Sequence, residues 1–359
     1  MRRSVMRRMF FAALMIAAIS IDVSAAGVTK GTVRQPADTI GYATTPDQVE
    51  AVLAMSDSMI EAGTGEMIGA IVPHDDYIYA GPYYTMTFER VGADLVILFG
   101  VAHRARRIGL EGKLIFEDFS GWKGPYGVTP VSPLRERVIE LLPAEIVLVD
   151  GAFHASEHSL EAFIPFIQHY RGTDAEILPV LVTRFAGDSF QRAVGEMTSA
   201  LAAGLAEEGK KLGTGAVVMI SADCVHYGDE EWGSTNYAPF GTDREGYEKA
   251  TAQDIDIART TLEGPLSADR IAGFRERIER DDLEWPYKVT WCGVYSIPFG
   301  LSVLEGLAAA QGLDAPYGRI LGYGTSLEPG ALPVEGTGLG ATNIATLRHW
   351  VGYLAMGYW

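Results

Sequence analysis

Five groups of residues able to bind a metal or move a proton occur along this chain, each close to the end of an apolar run. They are His74; His103; His154 with Glu157 and His158; Asp223 with His226; and Cys292. Two imidazoles and one thiolate make a three-ligand metal site with an open position, suited to iron, copper or zinc. A further histidine titrates near neutrality and can act as acid or base. Cys292 lies just before an apolar helical pattern, where exposed N–H groups would favour the thiolate. Each group also has a plainer reading. A buried free cysteine commonly behaves as a small hydrophobe, and a histidine after a strand is commonly a surface residue. Of the seven histidines, His169 and His349 read as ordinary helix or surface residues.

The elements that must position these groups follow from hydrophobic pattern. Ile68 to Val72 is a short apolar run broken by Pro73, which delivers His74, Asp75, Asp76, Tyr77 and Tyr79 into a turn. Leu95 to Phe99 is a second strand, ending before His103, Arg104, Arg106 and Arg107. Leu114 to Phe116 reads as an edge strand, 121–127 as a loop, and Glu145 to Val149 as a third core strand. Ser156 or Ser159 would cap a helix carrying Leu160, Phe163, Ile164 and Ile167. Ile177 to Val182 and Ala216 to Ile220 complete the strands of the core. Helical patterns cover 135–142, 189–208, 245–262 and 267–280, and Cys292-Gly293 precedes an apolar helix through Leu307, with closing strands near 317–323 and 338–346. Residues 229–243 lack periodicity and read as a long loop and candidate lid. Thr45 and Pro46 open an earlier helix that carries Val49, Val52, Leu53, Met59 and Ile60. Alternating strands and helices predict a single α/β domain, residues 46–359, with a largely parallel central sheet flanked by helices. Ligands of such sheets sit beyond the carboxyl ends of the strands, where the five groups fall. Residues 26–45 read as a loose polar arm.

A formal net charge of -17 argues against nucleic-acid or anionic-membrane partners. The first 25 residues read as an export signal. Arg2, Arg3, Arg7 and Arg8 precede an apolar stretch from Met9 to Ile19, and Val23-Ser24-Ala25 fits a cleavage site. Arg7-Arg8-Met9-Phe10-Phe11 also resembles part of a twin-arginine signal. The expected location is therefore periplasmic or secreted, with no stable membrane insertion after signal removal. Cys224 and Cys292 are the only cysteines. In an oxidising compartment they could form one disulfide, which is a direct rival to a metal thiolate.

Taken in order, the motifs resemble a known family. The series Pro73-His74-Asp75-Asp76-Tyr77-Ile78-Tyr79-Ala80-Gly81, Gly100-Val101-Ala102-His103, Glu157-His158-Ser159-Leu160-Glu161 with Pro165-Phe166, Ser221-Ala222-Asp223 running to His226-Tyr227-Gly228, and Cys292-Gly293 looks like the Memo family. That family is also named AmmeMemoRadiSam system protein B, and is similar in structure to LigB-type class III extradiol dioxygenases. The resemblance implies a LigB/Memo-like fold, metal ligands at His74, His103 and Cys292, and a pocket shared with Asp223 and His226. The chain departs from the family pattern at Asp75-Asp76, where Ala-Gly is usual. It also departs at Arg104, where a second histidine is usual, and at Cys224, where an aromatic is usual.

Together these readings imply a metal-dependent oxidoreductase holding iron, with copper or zinc as alternatives. His226 would serve as acid or base, with Asp223 orienting it or holding a metal-bound water. Tyr77 and Tyr79 would hydrogen-bond a small-molecule substrate or oxidant, and Glu157 and His158 would stand behind the ligands or line the pocket. Two other readings stay open. The site could bind metal or a partner without catalysis. It could also cleave catechol rings, although such enzymes need two histidines and one carboxylate on Fe(II), and here a cysteine takes the third place, with Glu284 the nearby carboxylate in sequence. Arg104, Arg106 and Arg107 either bind an acidic substrate at the pocket rim or pair with surface carboxylates. Asp75 and Asp76 either add ligands or form a solvated turn.

Overall fold

A computed structural model describes residues 31–56, 67–232, 235–282 and 285–359. The export-signal segment, Met59, Ile60 and Glu284 lie outside the described residues. In chain order the elements are β1 (Val33–Arg34), α1 (Pro46–Ser56), β2 (Gly69–Val72), α2 (Tyr77–Phe88), β3 (Leu95–Val101), β4 (Leu114–Phe116), β5 (Gly121–Gly124), β6 (Gly127–Pro130), α3 (Leu134–Leu141), β7 (Val147–Val149), α4 (Gly151–Ala155), α5 (Ile164–Arg171) and β8 (Glu176–Val182). They continue with α6 (Asp188–Glu207), β9 (Ala216–Ser221), β10 (His226–Trp232), β11 (Thr235–Tyr237), α7 (Arg244–Ile257), β12 (Gly264–Pro265), α8 (Ala268–Ile278), α9 (Ser296–Ala310), β13 (Tyr317–Thr325) and β14 (His349–Tyr358).

The main sheet runs β11-β10-β14-β2-β9-β3-β8-β4-β7, with β13 and β12 added beyond β14. Its inner strands β2, β9, β3 and β8 are parallel. Around them β14 and β4 run antiparallel to their inner neighbours. The result is a single mixed α/β sheet with helices on both faces. Alternation along β3 shows why. Leu95, Ile97 and Phe99 face one core with Met197, Phe299 and Leu304, while Val96 and Leu98 face the other with Tyr84 and Phe166. Burial on both faces explains why the inner strands read as continuous apolar runs rather than alternating ones.

Register puts the reactive residues at one end. Val72 pairs with Ser221, so the parallel strands release His74 and Asp223 side by side, two residues further on. Phe99 pairs with Ile220, and His103 leaves β3 at the same end. In the turn before α9, Gly293 lets the chain carrying Cys292 close on the end of β9. A Cβ there would lie 2.3 Å from the Ala222 Cβ, so no larger residue fits.

Several expectations are corrected. Residues 145–149 are not a core strand. Only Val147–Val149 is extended, it is the outermost strand, and Val149 is exposed, whereas β4 lies inside it. The 338–346 segment is irregular, and the closing strand is β14. Residues 229–243 are in part a hairpin, β10 with β11, rather than a long loop throughout. Residues 121–130 form a second hairpin, which joins β1 in a small separate sheet. Neither Ser156 nor Ser159 is the N-cap of the helix that carries Ile164 and Ile167; Ser156 is instead the C-cap of α4, whose N-cap Asp150 accepts the Phe153 N–H at 2.8 Å. From residue 31 onward the arm is not loose. Buried Arg34 pairs with Glu161 at 2.6 Å and donates to the His154 and Glu157 carbonyls.

Candidate metal centre

His74 follows β2 and is buried. Its Nδ1 meets Ser221 Oγ at 2.7 Å, and Ser221 in turn donates to the Ser159 carbonyl. Its backbone N–H donates to Asp223 Oδ1 at 2.9 Å. With Nδ1 engaged, Nε2 points at Cys292 Sγ, 3.6 Å away, and Asp223 Oδ2, 3.5 Å away. His103 is held in the same way. Glu157 accepts its backbone N–H at 2.9 Å and meets its Nδ1 at 2.8 Å. Glu157 also accepts the His158 and Ser159 N–H groups, so this one buried carboxylate organises the turn. His158 stacks on His103, with ring centres 4.7 Å apart. Such anchoring of one ring nitrogen is how proteins orient the other toward a metal.

Ligating atoms converge in two overlapping sets. One atom each from His74, His103 and His158 lie within 4.8 Å of one another, and so do those of His74, Asp223 and Cys292. The expected trio of His74, His103 and Cys292 is thus gathered around His74 but split between the two sets. His158 and Asp223, read from sequence as supporting residues, contribute donors of their own. His226 stands 3.7 Å from Asp223 Oδ2.

Electrostatics follow from burial. Desolvation lowers the His74 pKa to about 3, although Asp223 opposes it. Burial would lower His103 too, but the Glu157 carboxylate beside it raises it above the ordinary value. Burial pushes Glu157 up, and His103 with its hydrogen bonds holds it below the usual carboxylate range. Asp223 is likewise pushed up by burial but brought down to about 2 by His74 and His226. Burial and the neighbouring Asp223 push the Cys292 thiol well up. Cys292 does not stand at the helix terminus as expected, because α9 begins only at Ser296.

Other expected residues lie differently. Tyr77 donates to the Ala162 carbonyl and packs edge-on against Phe166 in the core, and Tyr79 donates to the Asn343 carbonyl at 3.2 Å. Both hydroxyls are used in holding the fold, so they are corrected as pocket residues. Tyr42, which donates to the His74 carbonyl, and Tyr353, which donates to Asp75 Oδ2 at 2.6 Å, sit at the site instead. Nothing local in the sequence marks them, since both come from segments distant from His74. Asp75 and Asp76 are not a solvated turn. Asp76 accepts from the Thr342 N–H at 2.6 Å and its hydroxyl at 2.9 Å. Burial raises Asp75 to about 8 and Asp76 to about 6. His154 is buried away from the site, its Nε2 against the Ile115 carbonyl. His169 contacts Glu50 and Tyr126 near the surface, whereas His349 is buried at the start of β14. Cys224 and Cys292 are both free thiols, so the expected rival disulfide is not formed.

Fold and site together define a mixed α/β protein with imidazole, carboxylate and thiol donors gathered at the ends of parallel strands. A family model described as Memo-like protein matches residues 40–327, and the chain belongs to that family. A MEMO1 family protein of Methanococcoides burtonii is 32% identical over 173 residues, 48% of this chain and 60% of the relative. One from Aeropyrum pernix is 30% identical over 229 residues, 60% of this chain and 76% of the relative. Another from Aquifex aeolicus is 32% identical over 162 residues, 44% and 53% respectively. The match thus spans little more than half to three quarters of these relatives' lengths. The crystal structure of an uncharacterized protein from Escherichia coli K12 aligns with 80% of this chain and 99% of its own, at 16% identity and a TM-score of 0.41.

Proposed function

We propose that this chain is a metal-binding oxidoreductase whose centre holds iron, with copper or zinc as alternatives, through His74, His103 and Cys292. The observation that carries this reading is the anchoring of both imidazoles by Nδ1, at 2.7 Å to Ser221 and 2.8 Å to Glu157, beside a buried thiol 3.6 Å from His74 Nε2. A donor set of nitrogen and thiolate suits these metals. His158 and Asp223 fit as further donors. A bound redox metal would supply electron transfer and positive charge. The chain's own residues do the rest. Ser221 and Glu157 fix ring orientation, and Asp223 bridges the ligand cluster and His226. His226 is the group able to take up or return a proton at the pocket shared with substrate. Elemental analysis and X-ray absorption of protein purified without chelator test this. Metal with sulfur in its coordination shell is expected, and full occupancy in Cys292→Ala would overturn the ligand assignment.

Asp223, 3.5 Å from His74 Nε2, favours a second reading, catechol ring cleavage on a histidine and carboxylate set. Yellow ring-opened product from catechols with Fe(II) would support it; its absence would dismiss it. A tight Cu(I) affinity without oxygen consumption would instead favour a binding role. Export to the periplasm or beyond is part of the same reading and rests on Arg2 to Ala25. Retention of the full chain in the cytosol on fractionation would overturn it.

A further inference from the structure

Two separate cavities meet at His103 and His226, and their walls come from different parts of the chain. The first is built by the arm, the turn after β2 and the segment at 156–158. It carries Asp38, Asp75, Asp76 and Asp223, with no lysine or arginine among the described residues of its wall. The second is built by the β3–β4 connection, the end of β8 and residues 286–296. Its cavity volume is about 200 Å³, below that of drug-sized sites, so its occupant is a small molecule.

The second chamber has a different chemistry. Arg106, Arg107 and Arg184 line it against one lining carboxylate, Glu111. This occurs in a chain with 46 acidic and 29 basic residues. Arg184 is nearly buried and is shared with Glu111 at 3.5 Å and exposed Asp281 at 2.6 Å. The Arg107 charge is felt at His103, that of Arg106 at Tyr287, and that of Arg184 at Tyr295. The guanidiniums therefore act on the chamber and its inner end. Much of the remaining wall is apolar or aromatic, with Val182, Val294, Tyr287 and Tyr295, interrupted by Thr183, Thr290 and Ser296. Cys292, His226 and His103 form the end that opens on the site.

We propose that this chamber binds a small organic anion, a carboxylate on an apolar body, held by the arginines with its uncharged end toward His226 and Cys292. Arginine presents a fork of donors that matches a carboxylate, and the valine and tyrosine walls bury the body of the ligand. The first cavity, lined by carboxylates without a lysine or arginine among its described residues, offers that anion no such partner and suits a cation instead. The two approaches are thereby divided by charge, organic anion on one side and cation on the other. The catalytic meaning of this division rests on the metal reading above; binding of the anion does not.

The test uses the full chain stripped of metal, with cyclohexanecarboxylate and the neutral cyclohexanecarboxamide titrated by calorimetry. The carboxylate is expected to bind at least tenfold more tightly than the amide. The double variant Arg106→Gln/Arg107→Gln changes exposed residues and should keep the fold, and is expected to weaken the carboxylate tenfold or more while leaving the amide unchanged. Val182→Phe, which fills the chamber, is expected to weaken both ligands. Equal affinity for the two ligands, an unaltered carboxylate affinity in the double variant, or no binding at millimolar ligand would overturn the proposal. Metal content is measured on the same preparations and on His74→Ala. Anion binding without any metal uptake would retain this proposal and remove the metal reading, and the converse result would separate them the other way.

Discussion

Asp254 on α7 is fully buried and holds together the two segments that carry the site. Its Oδ1 accepts Trp291 Nε1–H at 2.7 Å, and its Oδ2 accepts the Val225 N–H at 3.2 Å and the Tyr323 hydroxyl at 3.1 Å. Trp291 adjoins Cys292, and Val225 lies between Asp223 and His226. Replacing Asp254 with alanine strands three buried donors. At ~1–3 kcal/mol for each unpaired group, reduced by relaxation and water entry, the fold should lose about 3–5 kcal/mol. The asparagine variant isolates the charge. Burial raises the Asp254 pKa from 3.8 to about 7, so the folded state holds this proton more tightly than the unfolded chain. The associated stability is full below the unfolded value near 3.8 and is lost as pH rises through about 7. The side-chain amide of Asp254→Asn does not titrate and has no such dependence. Measured by urea unfolding, the stability advantage of wild type over this variant should therefore shrink between pH 4.5 and 8, by on the order of 2–4 kcal/mol. Alkylation of Cys292, mapped by mass spectrometry, should be faster in both variants. A wild-type advantage independent of pH, with Cys292 no more reactive, would refute the reasoning.

Three further outcomes follow from the same geometry. Glu157→Gln removes the charge that opposes desolvation of His103, so the His103 pKa should fall, as read by NMR titration; an unchanged value would show that Glu157 does not govern that ring. Arg34→Ala leaves Glu161 buried without its 2.6 Å partner. A loss of about 3–5 kcal/mol is expected, together with proteolytic cutting within residues 31–45; an arm that stays resistant would contradict its docking role. Gly41→Ala places a methyl 1.8 Å from Asp76 Oδ1. Because Thr342 fixes that carboxylate, the turn after His74 should shift and lower metal occupancy, measured by elemental analysis.

Much of the chemistry was legible one residue at a time. The apolar runs of β2, β3, β8 and β9 stop where polar residues begin, and this alone located His74, His103 and Asp223 at strand ends. Helices α3, α6, α8 and α9 were equally plain, because their apolar spacing and turn residues are local signals. The end of the chain was misread because β14 carries glycines in a run buried between β13 on one side and β2 and β10 on the other, so it lacks the alternation of a half-exposed strand.

What the tertiary structure decided concerns partners distant in the chain. The register of Val72 with Ser221 brings Asp223 against His74, and the close approach at Gly293 brings Cys292 to the same point. Those contacts span 149 and 218 residues, and no local pattern records them. The same holds for the tyrosines. Residue type suggested Tyr77 and Tyr79, but helix orientation turned their hydroxyls to backbone carbonyls and left Tyr42 and Tyr353 at the site. Sequence determined which residues could do chemistry and at which strand ends they stand. Packing of distant segments decided which of their atoms meet, because distances of a few ångströms depend on register and close approach, not on spacing along the chain.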